Sequence, residues 1–190
     1  MRLILASASL RRAELLTSAG FSFEVAPAWI DETPYGDEPP ADYVLRVARD
    51  KAAAAGSTPD LPCPVLAADT VVVADGRLLG KPTDDRDAEQ MLRRLSGRVH
   101  EVYTGVVLLA GGHQLAEVVT TRVRFVPLTD AEIHWYVATG EPHGKAGAYA
   151  IQGRASRFVD SIDGSWSNVV GLPISTVYAL LKRAARDILT

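Results

Sequence analysis

One segment constrains the fold more than any other. Val65-Leu66-Ala67-Ala68-Asp69-Thr70-Val71-Val72-Val73 is rich in β-branched residues and apolar in both alternating registers, so it reads as a strand buried on both faces. A carboxylate inside such a strand is costly unless a cation or hydrogen bonds meet it. Asp69 is therefore the foremost catalytic candidate. A turn former at a strand end is the plainer account, and the apolar residues that continue on both sides weigh against it. Asp75-Gly76 follows as a hairpin signal into Leu78-Leu79, a return that would carry Lys81 back towards Asp69, with Pro82 fixing the exit.

The rest of the chain switches between strand and helix periods. Leu3 to Ala6 reads as a short buried strand, Arg11 to Ala19 as a helix capped at Gly20, and Phe21 to Val25 as a strand. Ala41 to Ala55 reads as a helix whose apolar face repeats at Val44, Val47, Ala48, Ala52 and Ala55. Between them, acid-rich Pro27 to Pro40 is a loop able to serve as a flap, and Pro59, Pro62 and Pro64 mark a later connection. Thr83 is placed to cap a helix with Asp84 and Asp85 in its first turn, stopped by Gly97. Val102 to Ala110 and Ala116 to Phe125 predict a hairpin around Gly111-Gly112. Thr129 and Glu132 form a capping box for a short helix ending at Gly140, and Pro173 opens an amphipathic C-terminal helix. The pattern is mixed α/β with some antiparallel pairing.

Composition narrows the function classes. At 190 residues the chain suits one domain over residues 1–190, with room for two lobes. With 47% hydrophobic and 23% charged residues it falls in the globular range, which excludes disorder and disulfide scaffolds. Twenty basic against 23 acidic residues leave a net charge of -3, which argues against gripping nucleic acid through bulk positive charge. The single Cys63 has no disulfide partner and no zinc-spaced neighbours, as suits a reducing compartment. The opening apolar run is too short for a signal peptide, and no stretch approaches the roughly 18 apolar residues of a membrane helix. A cytoplasmic protein without membrane or nucleic-acid partners is expected.

Several residues sit awkwardly for packing alone. Ser7-Ala8-Ser9-Leu10-Arg11-Arg12 places two arginines in the first helical turn, against the dipole, where an anion should compensate. Serine hydroxyls, free N–H groups and two guanidinium forks make a phosphate cradle. A capping Ser9 with arginines paired to Glu14 or surface acids accounts for the same residues. Lys51 lies on the apolar stripe, where its amine must find an anion or snorkel out. Gly144 to Gly153 is glycine-dense, and Gln152 offers both donor and acceptor; a base-recognition loop and a structural turn both fit. Neither Gly76 to Lys81 nor Gly140 to Lys145 has P-loop spacing. His100, His113, His134 and His143 are too scattered for a zinc triad or a nucleophile relay, which leaves surface or packing roles.

Seven ordered motifs, Leu5-Ala6-Ser7-Ala8-Ser9-Leu10-Arg11-Arg12-Ala13-Glu14-Leu15-Leu16, Ile30-Asp31-Glu32-Thr33-Pro34, Ala68-Asp69-Thr70, Gly80-Lys81-Pro82, Leu95-Ser96-Gly97-Arg98, Lys145-Ala146-Gly147-Ala148-Tyr149 and Val170-Gly171-Leu172-Pro173, span nearly the whole chain. Together they resemble the Maf family of nucleoside triphosphate pyrophosphatases. The resemblance implies an α/β/α fold like that of inosine triphosphate pyrophosphatases, with an elongated mixed sheet and two lobes around a nucleotide cleft. It also implies a divalent metal, Mg²⁺ or Mn²⁺, and commonly a homodimer. Arg12, Thr70 and Gln152 match the specificity positions of the subgroup acting on dTTP and UTP. By the same resemblance Asp69 is the catalytic base or a metal ligand, Glu32 helps bind metal or water, and Ser7, Arg11, Arg12, Lys51 and Lys81 hold phosphate oxygens. Leu10 stands where the family often has proline and Ala67 where it often has glycine. The alternative is a nucleotide-binding regulator of septum formation with little turnover. The reading requires Arg12, Lys51, Asp69 and Lys81 to converge on one pocket.

Overall fold

The structure, a computed structural model, describes residues 2–56 and 63–187. Pro59 and Pro62 of the expected connection lie outside the described residues. The element order is β1 (Arg2–Leu5), α1 (Leu10–Ser18), β2 (Ser22–Val25), α2 (Pro40–Ala55), β3 (Val65–Ala74), β4 (Arg77–Leu79), α3 (Asp85–Leu95), β5 (Val99–Ala110), β6 (His113–Phe125), α4 (Asp130–Val137), β7 (Val159–Asp163), α5 (Trp166–Val170) and α6 (Ile174–Asp187). Two short 3-10 segments, Ala146–Ala148 and Arg154–Phe158, precede β7. The seven strands form one mixed sheet in the order β2-β1-β3-β5-β6-β7, with β4 paired to β3. β1 runs parallel to β2 and β3, whereas β3 with β4 and β6 with β7 are antiparallel. The expected mixed α/β class is the one observed.

The chain divides into two compact units, one from Met1–Asp69, Thr104–Val119 and Gly171–Thr190, the other from Thr70–Tyr103 and Thr120–Val170. In the first unit strand alternation separates two hydrophobic layers. Leu3, Leu5, Leu66, Ala68, Val106 and Leu108 pack with Leu16 of α1 and with Val177, Leu180 and Leu181 of α6. Their neighbours Ile4, Val65, Ala67 and Val107 pack instead with Ala48 and Ala52 of α2. Each strand is thus apolar in both registers because each face has a helix to cover. Gly105 permits α2 to lie close, since a Cβ there would come 2.5 Å from the Val44 carbonyl oxygen. In the second unit α3 packs against α4 and the Ala146–Ala148 segment, and Phe125, Tyr136, Tyr149, Phe158 and His100 make an aromatic core.

Local signals decide most boundaries. Ser9 caps α1 by accepting the Arg12 N–H, so the helix starts at Leu10, one residue before expectation. Asp84, not Thr83, caps α3: its carboxylate accepts the Asp87 N–H at 2.7 Å, and Thr83 instead donates through N and Oγ1 to Asp87 Oδ2 at 3.0 and 3.3 Å. The capping box of Thr129 and Glu132 is present. Asp75 and Gly76, with φ of 49° and 71°, make the predicted hairpin turn, and Gly111 and Gly112, with φ of 56° and 78°, link β5 to β6. Both long strands begin three residues earlier than expected, because pairing extends beyond the apolar core. Strand β7 and helix α5 carry no sequence signal of their own; β7 is a largely exposed segment containing Asp160 and Asp163, made a strand by its ladder with β6.

Candidate active site

The parity of β3 places the acid. Val65 and Ala67 face the α2 layer, so Asp69, in the same register, points to that side too. From α2, Lys51 shares the face of Ala48 and Ala52, and its Nζ donates to Asp69 Oδ1 and to Glu32 Oε1, both at 2.7 Å. Lys51 and Asp69 are each 7% exposed. The amine therefore does not snorkel: it is buried and ion-paired, and it supplies the cation that a carboxylate inside this strand requires.

Glu32 reaches the pair from the acidic loop, which is strapped to α2. The Tyr43 hydroxyl donates to the Glu32 carbonyl oxygen at 2.9 Å. Arg46 grips the Glu38 carboxylate through Nε and Nη2 at 2.8 and 2.7 Å, donates to the Thr33 carbonyl oxygen, and lies 3.9 Å over the Tyr35 ring. Burial, with Asp69 and Glu32 adding to it, pushes the Tyr43 phenol up to about 12, so it remains a donor at physiological pH. Tyr43 was missed by sequence reasoning, although it precedes Val47 and Lys51 by four and eight residues and so shares their helix face.

Helix α1 contributes the guanidinium. Ser7 Oγ accepts from the Ser9 N–H at 3.2 Å and from Arg12 Nη1 at 3.1 Å, while Arg12 Nε donates to the Gly171 carbonyl oxygen at 2.8 Å. Ser9 is thus a cap, as one reading held, and the Arg12 side chain is buried. Burial lowers the Arg12 pKa, the field of Asp69 opposes this, and neighbouring Arg11 adds to the lowering. A guanidinium nonetheless stays charged. Gly171 had no legible role, since it meets Arg12 through its backbone oxygen.

Arg12, Ser7, Lys51, Asp69 and Glu32 all belong to the first unit, with Arg11 beside Arg12 on α1. Two carboxylates and three cations leave this set with surplus positive charge, which suits an anionic ligand. Thr70, Lys81 and Gln152 belong to the second unit. Thr70 is half-buried on β3, Lys81 is exposed after β4, and Gln152 is exposed in the turn closed by Gly153 N–H to the Ala150 carbonyl oxygen. His100 is buried, its Nε2 is 2.9 Å from the Tyr149 hydroxyl, and burial drives its pKa down to about 4: a packing residue, as expected. Among the described residues no group of three or more His, Cys, Asp and Glu gathers into a metal cage. Two hard carboxylates converging on one ammonium nevertheless fit a small divalent cation that takes its remaining ligands from phosphate and water. No described helix is long and apolar enough to cross a membrane.

A helix-covered strand carrying an ammonium-paired acid, in one unit with a helix start that bears a buried arginine, defines an α/β protein with a buried charged centre. The chain belongs to the Maf family, described as Maf-like protein, which matches residues 2–184. It is 56% identical over 187 residues to the dTTP/UTP pyrophosphatase of Anaeromyxobacter dehalogenans strain 2CP-1, covering 96% of this chain and 94% of that protein. It is 51% identical over 186 residues to the dTTP/UTP pyrophosphatase of Koribacter versatilis, covering 97% and 95%. Among solved structures, the Staphylococcus aureus Ham1 protein aligns with a TM-score of 0.46 at 14% identity, over 66% of this chain and 72% of that one.

Proposed function

We propose that this protein is a nucleoside triphosphate pyrophosphatase that hydrolyses dTTP and UTP between the α- and β-phosphates, releasing the monophosphate and pyrophosphate. The observation that carries the reading is the buried contact of Lys51 Nζ with Asp69 Oδ1 at 2.7 Å. The names of relatives that match along nearly the full chain support the substrate class.

In this reading Asp69 takes a proton from the attacking water. The water oxygen forms a bond to the α-phosphorus, the bridging P–O bond breaks, and its electron pair leaves with pyrophosphate. Lys51 holds the carboxylate in place and, with Ser7, Arg11, Arg12 and Lys81, offsets charge that develops on the leaving group. Mg²⁺ or Mn²⁺, held by Glu32 and Asp69, would supply charge neutralisation of the triphosphate. Thr70 and Gln152 address the pyrimidine edge, with Arg12 as the third specificity residue. The match over residues 2–184 supports taking both units as parts of one family domain. A cytoplasmic homodimer completes the reading, and light scattering tests its assembly.

The test is a panel of dTTP, UTP, CTP and 7-methyl-GTP with Mg²⁺ or Mn²⁺, with pyrophosphate and orthophosphate detected separately. Pyrophosphate from dTTP and UTP is expected. Orthophosphate alone, or preference for 7-methyl-GTP, overturns the reading. Asp69→Asn should abolish turnover without unfolding the protein. Nucleotide binding with no turnover of any triphosphate would point instead to a regulator.

A further inference from the structure

Gln152 can present either an acceptor or a donor to a base, because its amide carries both. A keto edge, as in thymine or uracil, and the amino edge of cytosine differ in that respect alone at this position. A glutamine on a loose turn could satisfy both, so discrimination requires the backbone from which it projects to be fixed.

The second unit holds that backbone on both sides. The Ala150 N–H donates to the Tyr136 hydroxyl at 3.2 Å, and the hydroxyl in turn donates to Glu141 Oε1 at 2.8 Å. Across the turn, the Arg154 N–H donates to Glu141 Oε2 at 3.0 Å and the Ala155 N–H to Oε1 at 3.3 Å. A single carboxylate and a single hydroxyl thereby tie residue 150 to residues 154 and 155, with Gln152 between them. Gly153 completes the arrangement: a Cβ there would lie 2.5 Å from each Glu141 oxygen. Tyr136 is fully buried, with its ring edge-on to Phe158 at 5.4 Å between centroids. Glu141 itself is fixed by its N–H bond to Thr139 Oγ1 at 3.2 Å. Burial by itself would raise the Glu141 pKa; the donors converging on the carboxylate outweigh it and keep the group below its ordinary value.

We infer that Glu141 and Tyr136 are positioning residues for substrate selection, a carboxylate–phenol brace that holds the Gln152 turn so that it favours a keto over an amino pyrimidine edge. This rests on the role proposed above for Gln152.

The experiment compares kcat/KM for dTTP and CTP in the wild type, Tyr136→Phe, Glu141→Gln and Gln152→Ala. Tyr136→Phe keeps the ring and removes both hydroxyl bonds; Glu141→Gln keeps the shape and turns one acceptor into a donor that faces N–H groups. Each should narrow the dTTP:CTP preference by about tenfold, chiefly through KM for dTTP, as loss of a hydrogen bond to a charged group implies. A merely structural role would lower thermal stability and leave the ratio intact. The wild type supplies a further measurement: the Arg154 amide proton should exchange slowly although Arg154 is exposed at the start of its 3-10 segment. Selectivity lost in Gln152→Ala but kept in Tyr136→Phe and Glu141→Gln, or rapid exchange of the Arg154 amide, overturns the brace alone. Selectivity unaffected by Gln152→Ala overturns the brace and the assigned role of Gln152 together.

Discussion

Replacing Lys51 with methionine tests the centre most directly. Methionine preserves the length and apolar stem of the side chain, so little packing is lost. What remains is a carboxylate in a strand that is buried in both registers. Asp69 is 7% exposed, and removing one member of a buried pair costs about 3–5 kcal/mol, because the remaining charge is left uncompensated. The Glu32 side chain is 38% exposed, so its lost contact adds no more than about 1 kcal/mol. Asp69 therefore dominates, and Lys51→Met should lose about 4 kcal/mol in urea unfolding with the slope unchanged. The double variant Lys51→Met with Asp69→Leu removes both charges from an otherwise apolar strand and should recover at least half of that loss, while remaining inactive. A single variant that loses less than about 1 kcal/mol, or a double variant no stronger than the single, would refute the placement of a desolvated charge at Asp69.

Other expectations follow from the same structure. Gly147→Ala should cost about 2–4 kcal/mol, since φ is 67° and the new Cβ would lie 2.9 Å from Val72; Gly144→Ala, at φ 71° with nothing within 4 Å, should cost only about 1 kcal/mol, and thermal melts compare the two. His100, depressed from 6.5 to about 4 by burial, stays neutral when folded while the unfolded chain takes up a proton. Its contribution is therefore full above pH 6.5 and falls away towards pH 4, by on the order of 3 kcal/mol. Denaturant titrations across that range should show a steeper decline in the wild type than in His100→Leu. Tyr43→Phe releases the Glu32 backbone and should lower kcat/KM about tenfold at a stability loss near 1 kcal/mol; steady-state kinetics with unchanged values would detach Tyr43 from the site.

Much of the centre was legible because its residues violate local rules. An aspartate in an apolar run, a lysine on an apolar stripe and arginines at a helix start are each unfavourable alone, and each signals a partner elsewhere. The partners were another matter. Nothing local distinguishes a snorkelling Lys51 from an ion-paired one; the choice depends on β3 bringing Asp69 beneath α2 and on Gly105 letting the helix approach. Glu141 and Tyr136 are ordinary residues in a helix and its exit, and their joint hold on the Gln152 turn is made of hydrogen bonds to backbone N–H groups, which leave no trace in side-chain pattern.

Periodicity, caps and turn residues determined the elements: β3 by its apolar registers, α2 by its stripe, α4 by its capping box and the hairpin by Asp75-Gly76, because those forces act over a few residues. Tertiary structure decided what could not be local. It made a strand of Val159–Asp163 by offering β6 as a partner. It also joined residues 12 and 171, and residues 51 and 69, into one charged centre. Burial and ion pairing depend on distances between segments far apart in the chain, and only the packed sheet and helices set those distances.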